Sequence, residues 1–490
     1  MAKAIVIGAG IGGIAAAIRL ALQGMQVEVF EANAQPGGKL SELLLKDFRF
    51  DAGPSLFTMP FYVDELFTLA GKNPREYFNY QKLERICNYF YEDETAITAW
   101  ADRDRFTSEI AAKTIDSKEA VEAFLQKSEE IYNITHHVFL ERSLHKLSTY
   151  LNTKTLHSLL KVGKIDSLRS MNAANASRFR DSKTQRFFNR YATYNGSNPY
   201  QAPATLNVIP HLEQHFGAYF PEGGMYAIVQ SLVRLATELG VQFNYNSPVE
   251  RILVDKRSVR GVVVDGRERK ADLVVSNMDV WFTYKKLLNH EVAPAKVLAQ
   301  ERSSSALIFY WGIRRQFPQL DLHNIFFSED YQKEFSHIWN EKSIYDDPTV
   351  YLNISSKYNA ADAPPNEENW FVMINVPSNS GQNWDLLIAE ARDNIIRKLS
   401  RILKEDIRTL IACEALLDPR SIESKTYSYQ GSLYGTSSNS RFAAFFRHPN
   451  FSSKIANLYF VGGSVHPGGG IPLALLSARI VSQLVADGKN

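Results

Sequence analysis

The chain has 490 residues, with 55 Lys and Arg against 53 Asp and Glu, so its formal net charge is only +2. This balance argues against a nucleic-acid partner, which would need a strong basic excess. Its two cysteines exclude a disulfide framework and fit a reducing compartment. The length predicts two or three domains. Met1-Ala2-Lys3 leads directly into an apolar run, and no apolar stretch reaches about 18 residues, so we expect neither a signal peptide nor a membrane span.

The first predicted elements are a strand, a glycine turn and a helix. Ala4–Ile7 is an apolar run typical of a buried strand, and Ile14–Leu22 is rich in helix formers. A second strand, Gln26–Phe30, ends at Glu31. Glycines in G-x-G-x-x-G spacing, with one more inside the motif, separate the first strand from the helix: Gly8, Gly10, Gly12 and Gly13.

This context predicts a dinucleotide site rather than a turn without a ligand. Gly8 allows a tight turn, Gly10 lets a pyrophosphate approach the backbone, and Gly13 lets the helix pack on the strand. The helix N-terminus offers N–H groups and a positive dipole end to phosphates. Glu31 is placed to accept hydrogen bonds from a ribose. A membrane-spanning start is not expected, because glycines and Arg19 interrupt the apolar stretch.

Two more glycine turns follow, at 37–39 with its cation Lys39 and at 53–55 after a short strand over Phe48–Asp51. Residues 62–92 have a mixed, partly helical pattern, and residues 117–191 have helical periodicity. Within them, KTLHSLLKVGKIDSLRS combines Leu156, Leu159 and Leu160 with lysines and an arginine. Such a basic amphipathic segment could lie on a membrane surface or could be a solvated helix that packs on the core. Both interpretations stay open.

The middle of the chain predicts a return to the first domain and then a second sheet. A turn-rich break at 190–203 precedes a helical stripe that ends at Gly240, a strand over 241–245, a hairpin over 249–264 and a buried strand over 273–276. The dinucleotide domain therefore resumes near 221–280. Strand-like apolar runs at 305–313, 349–354 and 370–376, with a helix over 385–404, indicate a separate sheet-bearing domain.

The C-terminal segment repeats the opening pattern. Leu458–Val461 is strand-like, a loop rich in glycine follows, and Leu473–Leu484 reads as a helix. These elements can complete the parallel sheet begun at the N-terminus. The second loop, fixed by Pro467 and Pro472, would then reach the other end of the same cofactor. A flavin dinucleotide needs two such contacts, with its adenosine at the first loop and its isoalloxazine at the last, where the helix N-terminus can stabilise negative charge.

With these motifs the chain resembles the bacterial carotenoid desaturases of the phytoene-desaturase type, within the flavin amine oxidase-like superfamily. The matching segments span almost the whole chain in the order of that family: GAGIGG with Glu31, PGGKL, FDAGPS, YFPEGGM, SPVERI, VVSNMD and VGGSVHPGGGIPLALLSA. RYATYNGSNP and the last motif are more similar to the subgroup of hydroxycarotenoid 3,4-desaturases. Two positions depart from the pattern. Lys39 stands where the family usually has arginine, and lysine keeps the positive charge but lacks the bidentate fork of a guanidinium group. Ser464 stands where many flavoproteins have an aspartate that contacts the ribityl chain.

The resemblance implies an α/β fold with a Rossmann-like FAD-binding domain in three segments, a mixed-sheet substrate domain and a mostly helical region. The expected boundaries are 1–75, 221–284 and 436–490 for the FAD-binding domain, 76–115, 205–220 and 285–435 for the substrate domain, and 116–204 for the helical region, for which membrane contact is one of the two interpretations given above. The residues expected to contact FAD are Gly8, Gly10, Gly12, Gly13, Glu31, Ala32, Gly38, Lys39, Leu40, Pro54, Ser55, Val249, Gly463, Ser464, Gly470, Ile471 and Pro472.

The implied activity is FAD-dependent desaturation of a carotenoid, of the kind that forms a 3',4' double bond in a hydroxylated monocyclic carotenoid (1'-hydroxy-γ-carotene type). The candidate catalytic residues are His466, Arg190 and Tyr194. His466 could accept a proton or order its loop, and Arg190 and Tyr194 could meet a hydroxylated end group or form a packed turn. No metal is expected, the electron acceptor would be oxygen or a quinone, and the protein would be cytoplasmic and peripheral on the inner face of the cell membrane.

Several alternatives remain open at this point. A phytoene or carotene desaturase, a carotene isomerase and an amine oxidase share the flavin fold. A non-catalytic lipid-binding relative, such as a prenyl-protein escort protein, would share the fold without the flavin chemistry. The intact glycine loop at 462–472 argues against the last of these.

Overall fold

A computed structural model describes residues 1–150, Thr155, 161–288 and 293–488. Of the basic amphipathic stretch predicted over 154–170, residues 154 and 156–160 lie outside the described residues, and these include Leu156, Leu159 and Leu160. Among the described residues, no helix is both long enough and apolar enough to cross a bilayer.

A five-stranded parallel sheet forms the first domain. Three distant segments of the chain build it, in the spatial order Gln242–Asn244, Gln26–Phe30, Lys3–Ile7, Leu273–Ser276 and Leu458–Phe460. The central strands are Val- and Ile-rich and buried on both faces, as expected when helices cover a parallel sheet. The C-terminal strand therefore completes the N-terminal sheet, and the predicted fold class is confirmed.

Three helices pack against this sheet and against each other: Ile11–Leu22, Ala227–Glu238 and Ile471–Asp487. The first helix begins at Ile11, three residues before its predicted start, because Gly12 and Gly13 belong to its first turn. A Cβ atom at Gly13 would lie 2.2 Å from the carbonyl oxygen of Gly8. Only glycine therefore permits this approach of helix to strand.

The predicted hairpin is a three-stranded antiparallel sheet of Val249–Asp255, Ser258–Val264 and Arg267–Lys270. The sequence analysis missed the third strand, because its four residues are all exposed and charged or polar and lack an apolar alternation. The preceding strand of the parallel sheet is also shorter than predicted and ends at Asn244.

A seven-stranded mixed sheet forms the second domain. Its spatial order is Ile411–Leu417, Ser305–Ile313, Glu368–Val376, Val350–Asn353, His323–Phe326, Arg85–Phe90 and Ala96–Trp100. The helix Trp384–Leu403 covers one face, where it packs on Leu307 and Phe309. Alternate residues of the same strand, Ile308 and Tyr310, point to the opposite face and line a cavity.

A mostly helical region spans residues 103–214. Its helices include Arg103–Lys113, Lys118–Phe139, Leu147–Tyr150, Met171–Ala176, Ser182–Asn189 and Ile209–Gln214, with a 3₁₀ helix over Arg190–Asn195. Two small sheets connect the domains, Glu42–Leu45 with Phe48–Asp51, and Phe57–Thr58 with Ala218–Pro221 and Tyr80–Lys82. Other α-helices within the described ranges are Phe61–Leu69, Val280–Phe282, Ala295–Leu298, Tyr331–Ser336, Ile407–Leu410, Pro419–Thr426 and Ala443–Phe446.

Candidate active site

One cavity of about 1140 Å³ extends from the glycine turn of the first helix to the mixed sheet and the helical region. It is larger than the roughly 300–1,000 Å³ that a typical small-molecule site occupies. Both glycine loops predicted from the sequence contribute to its wall, together with Ile308, Tyr310 and Phe371 of the mixed sheet. The cavity therefore has room for an extended cofactor and for a second, apolar ligand beside it.

The first glycine turn and the last glycine loop meet at the side chain of Asn277. Its Nδ2 atom donates a hydrogen bond to the carbonyl oxygen of Val461 at 3.2 Å. A Cβ atom at Gly10 would lie 2.5 Å from Asn277 Oδ1, and one at Gly462 would lie 2.5 Å from Asn277 Nδ2. Asn277 thus joins the loops that follow three neighbouring strands. The sequence analysis quoted its motif, VVSNMD, without giving this residue a role.

The backbone of the first turn forms an anion site of the dinucleotide type. Helix Ile11–Leu22 begins there without a side-chain cap and without an acidic residue in its first turn, so its N-terminal N–H groups and its dipole favour a phosphate. A Cβ atom at Gly38 would lie 3.5 Å from the Cα atom of Gly10 in the same turn. The donor set and the lack of Cβ atoms fit the pyrophosphate of FAD.

Glu31 follows the second strand and is 6 % exposed. Its Oε2 atom accepts a hydrogen bond from the Ala9 N–H at 2.7 Å, and its Oε1 atom accepts two from Asn33. A carboxylate has about four acceptor sites, so one remains for a ribose hydroxyl. The residue lines the cavity, as do Ala32 and Val249.

Lys39 lies where its charge was expected but has protein partners. Its ammonium group donates hydrogen bonds to the carbonyl oxygens of Ser432 and Leu433 at 3.1 and 2.8 Å. Burial lowers the pKa of Lys39 to about 8, while Asp279 opposes this shift. The third ammonium proton has no partner among the described residues and remains for an anion. The lysine therefore also anchors the segment before the last glycine loop, which the sequence alone did not indicate.

The last glycine loop is held from several sides. Ser464 Oγ accepts a hydrogen bond from the Val280 N–H at 3.1 Å, so this hydroxyl, expected at the ribityl chain, also has a backbone partner. Arg447 donates to the carbonyl oxygen of Pro467 at 2.7 Å. A Cβ atom at Gly469 would lie 2.8 Å from Tyr434. At Gly470, with φ near 108°, a Cβ atom would meet no atom within 4 Å, which leaves its backbone accessible to a ligand.

His466 belongs to this loop and is 2 % exposed. Its Nε2 atom lies 2.8 Å from the carbonyl oxygen of Arg142. A carbonyl only accepts, so Nε2 carries the proton and Nδ1 is left as a bare acceptor, with no hydrogen-bond partner among the described residues. Burial lowers the pKa of His466 to about 3. The imidazole is therefore neutral at physiological pH.

Arg190 and Tyr194 belong to a buried polar cluster in the wall of the cavity. The Arg190 guanidinium lies over the rings of Tyr89, Tyr191 and Tyr194 at 4.6–5.1 Å from their centroids. Its Nη2 atom lies 3.7 Å from Glu213, which is fully buried and accepts hydrogen bonds from the hydroxyls of Tyr191 and Tyr194. Sequence analysis missed Glu213, because its helix, Ile209–Gln214, has no motif around it.

The structure brings together nearly all of the residues predicted for the site. The three catalytic candidates and every predicted FAD residue except Gly13 line the one cavity. Gly13 is set back from the cavity because it packs on the Gly8 carbonyl group, so it shapes the turn rather than touching a ligand. Five of the predicted FAD residues contribute apolar or hydroxyl side chains to the wall: Leu40, Pro54, Ser55, Ile471 and Pro472.

Buried histidines around the site predict a loss of stability in acid. Burial lowers the pKa values of His323 and His466 to about 3 and those of His211 and His448 to about 4. The unfolded chain, with histidine pKa values near 6.5, then binds more protons than the folded chain, so the free energy of unfolding decreases as the pH falls from about 6.5 to 4. Burial also lowers the pKa of a fifth histidine, His145. Three carboxyl groups oppose the trend, because burial raises the pKa of Glu334 to about 7 and raises the pKa values of Asp51 and Asp362 as well.

We therefore expect the melting temperature to decrease steadily between pH 7 and pH 5. A fluorescence melting series in buffers of constant ionic strength measures this, and replacing His448 by asparagine should flatten the slope. A melting temperature that stays constant from pH 7 to pH 5 would contradict the neutral, buried state of these rings.

Comparisons with known proteins identify the family of this chain. The model of the family described as flavin containing amine oxidoreductase matches residues 11–486. A 1-hydroxycarotenoid 3,4-desaturase from Flavobacterium sp. (strain P99-3) is 51% identical over 488 residues, which cover 99% of each chain. A 4,4'-diapolycopene oxygenase from Methylomonas sp is 36% identical, with 99% of this chain and 98% of the relative covered. A solved structure of a putrescine oxidase triple mutant has a TM-score of 0.66 and 14% identity and covers 99% of both chains, which supports the fold alone.

Proposed function

The chain belongs to the family of flavin-containing amine oxidoreductases, and on this basis we propose that it is an FAD-dependent carotenoid desaturase that forms a 3',4' double bond in a hydroxylated monocyclic carotenoid. The observation that carries the proposal is its 51% identity, over the full length, to a 1-hydroxycarotenoid 3,4-desaturase. The cavity supports it physically, because the two glycine loops and a long apolar wall share one space.

FAD is the cofactor of this oxidoreductase, and the described residues fit it. The N-terminus of helix Ile11–Leu22 and Lys39 would hold the pyrophosphate, Glu31 the ribose, and the loop 462–472 the flavin end. When bound there, FAD supplies a hydride acceptor. Its pyrophosphate would meet backbone N–H groups rather than a bidentate arginine, since lysine takes that place.

The chain's own residues provide orientation, water exclusion and a proton acceptor. Desaturation breaks one C–H bond by hydride loss and a second, on the adjacent carbon, by proton loss. The intermediate cation is delocalised over the polyene, so a weak base is sufficient to take the proton. We assign that role to Nδ1 of His466, which is neutral and lies on the cavity wall within the last glycine loop. Apolar side chains such as Ile308 and Phe371 exclude water that would trap the cation.

Product analysis distinguishes the alternatives. Incubation of FAD-loaded protein with 1'-hydroxy-γ-carotene should give a product with two fewer hydrogens and a red-shifted absorption spectrum. A product of unchanged mass would instead indicate an isomerase. Oxidation of putrescine, with no effect on carotenoids, would indicate an amine oxidase. The same assay with oxygen or a soluble quinone as the acceptor identifies the oxidant that reoxidises the flavin.

An exposed aromatic patch at the opening of the cavity supports contact with a membrane. Phe442, Phe445 and Phe446 are 59%, 42% and 58% exposed, and the first two also line the cavity. Exposed cations lie near them: Arg441 precedes Phe442 in the chain, and Arg142 and Lys146 are close in sequence to His145, whose ring contacts the Phe445 carbonyl oxygen. An aromatic patch with a basic rim suits an anionic bilayer surface, from which a water-insoluble carotenoid would have to be extracted. We therefore place the protein on the inner face of the cytoplasmic membrane.

Replacing Phe442 and Phe446 by serine together should decrease membrane binding by about tenfold or more. Each phenylalanine that enters the bilayer contributes roughly 1.5–3 kcal/mol, and each serine loses most of that. Flotation with vesicles that contain anionic lipid measures the bound fraction. Leu386→Ser is the matched control, because Leu386 is 53% exposed on a helix that does not line the cavity. Equal flotation of the wild type and the double variant would contradict this surface.

A further inference from the structure

We propose that Arg190, Glu213 and Tyr194 form a binding subsite for the substrate's hydroxyl group, and that this subsite sets which carbons react. The inference rests on the proposed function and deepens it. All three residues line the cavity, and Arg190 and Glu213 are 5% and 0% exposed. A hydrocarbon substrate could not form hydrogen bonds with a charged pair in an otherwise mainly apolar wall. Charged groups are rarely buried unless they are paired or bind a ligand.

The Arg190 guanidinium has donors to spare. It carries five N–H bonds, and among the described residues it donates one hydrogen bond, from Nη2 to the Tyr89 hydroxyl at 2.5 Å. Its Nε–H is buried and has no hydrogen-bond partner in the part of the chain that the structure describes. Because a buried donor without a partner costs free energy, this arginine is better explained as a group that a ligand oxygen completes than as a packing residue alone.

Glu213 and Tyr194 supply the complementary acceptors. Glu213 Oε1 accepts from Tyr191 at 2.6 Å, and Oε2 accepts from Tyr194. The Tyr194 oxygen, which donates its proton to Glu213, keeps lone pairs that can accept a proton from a ligand. A hydroxyl group both accepts and donates. An alcohol placed here would accept from Arg190 and donate to Tyr194 or Glu213, whereas a methyl group would leave these polar groups unpaired.

The subsite is connected to the last glycine loop. A Cβ atom at Gly196, which ends the 3₁₀ helix of Arg190, would lie 2.7 Å from Tyr434, and Tyr434 also packs on Gly469 of the loop. Asn195 donates a hydrogen bond to Ser438 in the same segment as Tyr434. In a 1-hydroxycarotenoid only C2 separates the hydroxyl-bearing carbon from the C3–C4 bond. An anchor for the hydroxyl must therefore lie close to the flavin end, where the structure has this cluster.

The test compares two carotenoids that differ only in the hydroxyl group, 1'-hydroxy-γ-carotene and 1',2'-dihydro-γ-carotene, in which C1' carries hydrogen in place of the hydroxyl. The variants are Tyr194→Phe, which keeps the ion pair, and Arg190→Lys, which keeps the charge. We expect kcat/KM on the hydroxylated carotenoid to fall about 10–100-fold, the cost of losing one buried polar contact, and kcat/KM on 1',2'-dihydro-γ-carotene to change less than about threefold. Tyr91→Phe is the matched control, because its buried hydroxyl bonds to the Lys183 carbonyl outside the cavity.

FAD content and melting temperature confirm that each variant is folded. An equal loss of kcat/KM on both carotenoids would overturn the subsite, because it would indicate a structural role for the cluster. Equal turnover of both carotenoids by the wild type would overturn the subsite and leave the desaturase function intact. Turnover of neither carotenoid would contradict the proposed function, and the subsite with it.

Discussion

Replacement of Gly13 by alanine is expected to give a protein that purifies with little or no FAD. The new methyl group would lie 2.2 Å from the carbonyl oxygen of Gly8, a backbone atom that cannot rotate away. The helix would have to move off the strand, and its N-terminal N–H groups would move away from the phosphate position. Overpacking of this kind costs about 1–3 kcal/mol or more, which corresponds to a roughly 10–100-fold weaker affinity for FAD.

Flavin absorbance per mole of purified protein and a titration of the FAD-free protein measure this effect. Gly163→Ala is the control, because a Cβ atom there would have no heavy atom within 4 Å, and it should retain FAD. Circular dichroism separates lost affinity from lost folding. Gly13 does not line the cavity, so its replacement acts on FAD only through the position of the first turn. A Gly13→Ala protein that binds FAD with unchanged affinity would therefore contradict the role given to that turn.

Replacement of His466 by alanine is expected to lower kcat by about 10²–10⁴-fold, the usual contribution of a positioned general base, without loss of FAD. The bare Nδ1 atom is the acceptor, and burial lowers the pKa of the ring to about 3. His466 is therefore in its basic form at every pH above about 4. The pH profile of kcat should show no acid limb from this residue between pH 5 and pH 8, whereas an ordinary histidine base would lose activity below about pH 6.5.

Rapid-reaction kinetics with the hydroxylated carotenoid give kcat for the chemical step, and His466→Gln tests whether a side chain of similar size that still donates to Arg142 is sufficient. If His466 only orders its loop, the glutamine variant should restore activity. Full activity in the alanine variant would exclude an essential base at this position. An acid limb near pH 6.5 that disappears in the alanine variant would contradict the lowered pKa.

Local pattern and glycine spacing were sufficient to predict the parallel sheet. The strands Gln26–Phe30 and Leu273–Ser276 have the predicted bounds. The second is fully buried and reads as an apolar run, whereas the first alternates polar residues with buried apolar ones. The third antiparallel strand, Arg267–Lys270, carries no such signal, since its residues are exposed. It forms because the neighbouring strand Ser258–Val264 has a free edge with which it can pair, and the pattern of its own residues does not indicate this pairing.

The site was predictable where backbone chemistry determines the residue and not where side chains meet across the fold. Glycine and proline positions around FAD follow from close approach and from fixed φ. Asn277 and Glu213 do not, because their roles depend on partners far away in sequence, Val461 for the first and Tyr191 with Tyr194 for the second. Lys39 donates to the carbonyl oxygens of Ser432 and Leu433, which lie almost four hundred residues later in the chain. These partners could not be predicted from the glycine turn that contains Lys39. The predicted domain boundaries stay a prediction.

The most direct test of the central claim, a desaturase for a hydroxylated carotenoid, is a single anaerobic mixing experiment. FAD-loaded protein is mixed with liposomes that contain 1'-hydroxy-γ-carotene or phytoene, and the flavin and polyene absorbances are followed together. We predict loss of the oxidised flavin band with a red shift of the polyene band for the hydroxylated carotenoid alone. Flavin reduction by phytoene and not by the hydroxylated carotenoid, or by neither, would contradict this function.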